Sequence, residues 1–96
     1  MEITYTPVAE EDLLFWKKSG NKAVQKKISQ ILTVIAETPT TGIAKPECLK
    51  HELSGCWSRH INDEHRLVYK ILDDRIEVIS LRFHYRQLYS QPITAT

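Results

Sequence analysis

Seven side chains of complementary chemistry crowd the second half of this 96-residue chain: Glu47, Lys50, Arg59, His60, Arg66, His84 and Tyr85. A carboxylate or imidazole can take a proton from a hydroxyl, another imidazole can return one to a leaving oxygen, and arginine or lysine can hold a phosphate. Metal-free cleavage of RNA requires such a set: a base on the 2′-OH, an acid on the departing 5′ oxygen, and cations against the charge that builds on phosphorus. The same residues admit plainer roles. Glu47 could cap a turn or pair locally, Lys50 could be solvated, Arg66 could pair across strands and Tyr85 could pack, because charged residues at strand ends are mostly a solvated face.

Other chemistries lack their patterns. His51, His60, His65 and His84 form neither H-x-x-x-H nor H-E-x-x-H, and Cys48 and Cys56 are in no C-x-x-C spacing, so no metal is expected. The three glycines, at 20, 42 and 55, build no phosphate-binding loop, so no nucleotide cofactor is expected. Two cysteines are too few for a disulfide framework and read as free thiols in a reducing cytosol.

The elements that must position these residues follow from periodicity. Ile3 to Tyr5 read as a strand. Thr6 is a helix cap before Pro7, with Glu10 to Asp12 near the positive end of a helix over 7–18. After Ser19-Gly20, Asn21 caps a second helix in which Val24, Ile28, Ile31, Leu32 and Ile35 make one apolar stripe and Lys22, Lys26, Gln30 and Thr33 the opposite face, until Thr38-Pro39. Residues 40–54 read as a loop with one helical turn over 46–50. Extended runs over 57–61, 66–72 and 76–83, joined by short polar pieces, predict an antiparallel meander. In the middle run Leu67, Tyr69 and Ile71 alternate with Arg66, Val68 and Lys70, so one side is apolar and the other carries two cations. The fold class is α+β, with the N-terminal strand and both helices packed on one face of a twisted antiparallel sheet and the other face left as a working surface.

Composition fits one self-sufficient domain: 42% hydrophobic and 26% charged residues place the chain far from disordered sequences. Thirteen basic against twelve acidic residues give +1, which excludes a strongly basic nucleic-acid module and leaves local placement to provide any RNA contact. The charge is segregated, with Glu2, Glu10, Glu11 and Asp12 preceding Lys17, Lys18, Lys22, Lys26 and Lys27. No apolar run approaches the roughly 20 residues of a membrane span, and the N-terminus lacks a basic-then-apolar signal, so a cytoplasmic protein with no membrane partner is expected.

Three strings carry a resemblance. Lys45-Pro46-Glu47-Cys48-Leu49-Lys50-His51-Glu52-Leu53-Ser54-Gly55-Cys56-Trp57-Ser58-Arg59, then Glu64-His65-Arg66-Leu67-Val68-Tyr69, then Arg82-Phe83-His84-Tyr85 resemble the YoeB (Txe) family of toxins in the RelE/ParE superfamily. The similarity runs over residues 1–85, taken as one RelE-like domain, and leaves 86–96 as a tail. It implies the toxin of a type II toxin-antitoxin pair, a metal-independent, ribosome-dependent endoribonuclease that cuts mRNA in the A site and leaves a 2′,3′-cyclic phosphate and a 5′-hydroxyl. By the resemblance Glu47 is the general base, His84 the general acid and Arg66 the stabiliser of the transition state, while Lys50, Arg59, His60 and Tyr85 contact RNA.

The implied partners are a YefM/Phd-like antitoxin whose disordered segment folds on the toxin, the 70S ribosome with its A-site mRNA, and operator DNA only through the antitoxin; the resemblance also admits a homodimer. Two features depart from the family. Arg59-His60 stands where two arginines are usual, making one cation titratable, and the tail follows the proposed acid directly. Two rivals remain: a ParE-like, non-catalytic inhibitor of DNA gyrase, and a catalytically weakened module that mainly binds its antitoxin. The low net charge predicts weak activity on RNA without ribosomes.

Overall fold

The computed structural model of the chain describes residues 1–83. Along the sequence come β1 (Glu2–Tyr5), α1 (Pro7–Ser19), α2 (Lys22–Glu37), β2 (Glu47–Cys48), a 3-10 turn (His51–Leu53), β3 (Cys56–His60), β4 (Arg66–Ile71) and β5 (Arg75–Ser80). The proposed acid His84, the proposed RNA contact Tyr85 and the tail 86–96 lie outside the described residues.

Local chemistry starts and stops both helices where the sequence predicts. Thr6 Oγ1 accepts from the Ala9 N–H at 3.1 Å, Pro7 occupies the first turn, and Lys17 and Lys18 occupy the last turn before Gly20, whose φ of +74° ends the helix in the left-handed region. Asn21 Oδ1 accepts from the Val24 N–H at 3.1 Å to start α2. Val24, Ile28, Ile31 and Ile35 are buried, with Leu32 partly so, and Lys22, Lys26, Gln30 and Thr33 are exposed, as the apolar stripe requires.

The five strands form one sheet in the order β1-β5-β4-β3-β2. The meander β3-β4-β5 is antiparallel, as is β2 with β3, but β1 joins the far edge parallel to β5, with Ile3 beside Ile76 and Tyr5 beside Val78. The sheet is therefore mixed rather than wholly antiparallel: the two-helix connection returns the chain over one face, and the strand left unpaired by the meander is the β5 edge. Thr6 ties that edge to α1, its N–H donating to Val78 O at 3.0 Å and its hydroxyl to Ile79 O at 2.8 Å.

The core lies between the helices and one sheet face, where Ala9, Trp16, Val24, Ile28, Ile31 and Ile35 meet Leu67, Tyr69, Ile76, Val78 and Leu81. The opposite face is not wholly open. Leu49 and Leu53 fold over Cys56, Val68 and Ile79 to make a second, smaller apolar cluster. The helical turn expected at 46–50 is displaced to His51–Leu53, because Glu47 and Cys48 pair with β3 as a strand. The last strand ends at Ser80, short of the expected Phe83, and a register shift between Val68 and Tyr69 accompanies its pairing with β4.

Candidate active site

Register and strand alternation decide which charged side chains share a face. Glu47 is opposite Ser58, and Ser58 is opposite Val68; His60 is opposite Arg66 in the adjoining row. Side chains two apart on a strand project from the same side, so Glu47, His60 and Arg66, on β2, β3 and β4, belong to the face turned away from the helices. Lys50 is exposed just beyond β2, where Leu49 anchors the segment to the small cluster on that same face. Glu47 is exposed and His60 half-buried.

Arg66 is 7% exposed, and its Nη1 donates to the carbonyls of Asn62 at 2.7 Å, His65 at 3.1 Å and Asp63 at 3.3 Å. The tight β3–β4 turn supplies these acceptors. It is shaped by Asn62 Oδ1, which accepts from the N–H groups of Glu64 at 2.9 Å and His65 at 2.8 Å. Carbonyl partners orient the guanidinium and leave its charge uncancelled, so it keeps the capacity to act on an anion.

Arg59, expected at the RNA, takes the opposite side. Its neighbour in the ladder is Leu67, a core residue, and it is 0% exposed. Its guanidinium donates to the carbonyls of Ile43 and Thr41 at 2.8 Å each, Thr38 at 3.1 Å and Pro39 at 3.3 Å, and its Nε to the Tyr69 hydroxyl at 3.0 Å. The Tyr69 hydroxyl donates in turn to Pro39 O at 2.5 Å, and burial raises its pKa above the usual phenol value. Arg59 and His60 are consecutive on a strand, so they point to opposite faces; in this conformation Arg59 has no surface to offer RNA and binds the loop after α2 instead.

Asp12, expected only near the positive end of α1, and His65, weighed only as a metal ligand and as part of a family string, gather with Trp16 at the chain just past β5. Asp12 Oδ2 accepts from the Leu81 N–H at 2.8 Å, and the Trp16 indole N–H donates to Leu81 O at 2.8 Å. His65 Nδ1 accepts from the Phe83 N–H at 2.7 Å, and its ring is edge-on to Trp16 with centroids 4.9 Å apart. Burial pushes the Asp12 carboxyl up and the His65 imidazole down, each toward its neutral form. His65 stands in the quoted Glu64–Tyr69 string, but the contact with Phe83 spans 18 residues and has no local signal.

Among the described residues no three His, Cys, Asp or Glu side chains gather as a metal site would require, and no helix is long and apolar enough to cross a membrane.

Comparison with known proteins bears on the family and the fold. Residues 5–85 match the family model for the YoeB-like toxin of bacterial type II toxin-antitoxin systems. A Toxin YoeB of Streptomyces coelicolor is 47% identical over 85 residues, covering 88% of this chain and all of that protein. A YoeB/ParE toxin from Agrobacterium tumefaciens superposes with a TM-score of 0.84 at 38% identity, covering 88% of this chain and all of that one. The toxin of a Staphylococcus aureus YoeB-YefM complex superposes with 0.79 at 43%, covering 88% and 98%, and the same species' YoeB has been solved as a dimer. A family match over most of the chain and a fold shared with solved relatives make one statement: the chain belongs to the YoeB-like toxins of bacterial type II toxin-antitoxin systems.

Proposed function

We propose that the protein is a cytoplasmic, ribosome-dependent endoribonuclease that arrests translation by cutting mRNA in the A site. The observation that carries this reading is the convergence of Glu47, His60 and Arg66 from three adjacent strands on the face the helices leave uncovered. Glu47 takes the 2′-OH proton; the oxygen attacks phosphorus and the bond to the 5′ oxygen breaks, with His84 returning a proton to it. Arg66 stabilises the added negative charge, and Lys50 assists at the phosphate. His60 and Tyr85 place the RNA. The groups that move protons and hold charge are all side chains, so the scheme needs no metal. The products are a 2′,3′-cyclic phosphate and a 5′-hydroxyl.

Membership of the family, and the Staphylococcus aureus toxin solved with YefM, support a YefM-like antitoxin as the partner that silences this site. That toxin's dimer supports self-association as well. Primer extension on mRNA from translating ribosomes tests the reading. We expect codon-specific cuts from wild type and none from Glu47→Ala or His84→Ala. Cuts of equal strength from both variants refute the site; no cuts from wild type, with inhibition of gyrase instead, refute the enzyme.

A further inference from the structure

Residues 81–83 follow the last ladder pairing of β5, yet every main-chain polar group of Leu81 and Phe83 is held. Asp12 accepts from the Leu81 N–H and Trp16 donates to its carbonyl, each at 2.8 Å. The Phe83 N–H donates to His65 Nδ1 at 2.7 Å, and the Phe83 carbonyl accepts from the Arg66 N–H at 2.9 Å. Between them the Arg82 guanidinium is stacked 3.7 Å from the centre of the Phe15 ring and 4.8 Å from that of Phe83. Phe83 itself has φ +60°, a left-handed backbone that costs an aromatic residue about 1–2 kcal/mol and persists only where neighbours impose it. Side chains from α1 and the β3–β4 turn thus hold the main chain at Leu81 and Phe83.

We propose that His65 is a positioning residue for RNA cleavage: with Asp12 and Trp16 it fixes the main chain at Leu81 to Phe83, the residues that directly precede His84 in the sequence. The inference rests on the reading of His84 as the general acid. It gives a reason for the pairing of Arg66 with Phe83 O: the residue that carries the cation also anchors, through its backbone, the segment that carries the acid. A proton donor displaced by about 1 Å loses on the order of 100-fold in rate, so a clamp remote from the reacting atoms acts on the chemical step.

The clamp has a protonation requirement. His65 accepts at Nδ1, so the ring must be neutral with its proton on Nε2. Its surroundings favour that form: burial leads, Arg82 and Arg66 act in the same direction, and Glu64 and Asp12 oppose. Acid places a proton on Nδ1 and breaks the bond to Phe83.

Two substitutions separate positioning from packing. His65→Asn puts Oδ1 near the place of Nδ1, keeps the acceptor and cannot titrate; His65→Phe keeps a ring against Trp16 and loses the acceptor. Both are compared in the full chain by single-turnover cleavage of ribosome-bound mRNA at saturating toxin, by ribosome affinity, and by hydrogen exchange of the Phe83 amide. We expect His65→Phe to cut about 100-fold more slowly at unchanged ribosome affinity and to lose protection at Phe83, and His65→Asn to restore both. Acidification from about pH 7.5 to about pH 5.5, across the histidine range, lowers Phe83 protection in wild type and leaves it unchanged in His65→Asn.

Wild-type cleavage or undiminished Phe83 protection in His65→Phe overturns the proposal. If that variant does not fold, His65→Gln, whose end group overlies Nε2 rather than Nδ1, replaces it with the same expected losses. Failure of the underlying reading looks different: His84→Ala then cuts as fast as wild type. Failure of the positioning role alone leaves His84→Ala inactive and His65→Phe active.

Discussion

Single residues divide here into those on the uncovered sheet face and those that hold the frame, and Arg59 shows how narrowly the two are separated. Its five donor contacts serve the loop at 38–43 and Tyr69. Removing a charged donor from buried acceptors costs about 1–3 kcal/mol for each group left unpaired, so Arg59→Met should lower unfolding free energy by about 3 kcal/mol or more in urea titrations. Arg59→Lys should not restore it, because a point charge cannot replace a planar fork. A stability loss within about 0.5 kcal/mol, as for a surface change, would return Arg59 to the list of RNA contacts. The signal that separates Arg59 from His60 was present in the sequence, since neighbours on a strand cannot share a face, but which of them meets the core depends on a register that residue types alone leave open.

His65 and Asp12 give stability opposite slopes with pH. The folded pKa of His65 lies below its ordinary 6.5, so its contribution is full above that value and is lost as pH falls toward the folded one. The folded pKa of Asp12 lies above its ordinary 3.8, so its contribution is present below that value and is lost as pH rises through the folded one. We expect urea midpoints of wild type relative to His65→Asn to fall on acidification below pH 6.5, and those relative to Asp12→Asn to rise as pH drops toward 3.8. Differences that stay constant with pH would contradict both burial effects.

At the scale of elements, legibility followed periodicity. The stripe of α2 repeats over about three turns and the caps Thr6 and Asn21 are local, so both helices emerged with their boundaries. β2 is two residues long, follows Pro46, and exists only because β3 offers an edge, so it had no pattern to display. Yet it is the element that places Glu47. The parallel seat of β1 was hidden for the same reason: a strand's sequence does not name its partner. Holding β2 and the segment after it falls to Leu49, 7% exposed against Cys56 and Val68, with its N–H donating to Cys56 O at 2.9 Å. Leu49→Ala should therefore cost about 2–5 kcal/mol and should also slow cleavage, because Lys50 adjoins it and Glu47 shares its short segment. Unaltered stability in urea titrations would show that the second cluster does not hold this edge.

Across the whole molecule, a net charge of +1 and a one-sided arrangement of helices fit the proposed reading, in which the ribosome presents the substrate. Phosphate contacts made by a few cations give weak, salt-sensitive affinity for free RNA. Arg66 shares the uncovered face with Glu47 and Lys50 is exposed just beyond β2, whereas the lysines from 17 to 27 belong to the helix side. Family and fold class were legible because long strings survive in order. The clamp past β5 was not, since Asp12, Trp16 and His65 meet Leu81 and Phe83 only after the sheet has formed. The most direct test is the single-turnover rate of A-site mRNA cleavage by wild type and by Glu47→Gln, which keeps the shape and removes the base, with the same RNA free of ribosomes alongside. We expect cutting by wild type on ribosomes, little on free RNA, and a rate lower by about 10²–10⁴-fold for Glu47→Gln at unchanged ribosome binding. Equal rates for the two proteins would contradict the account.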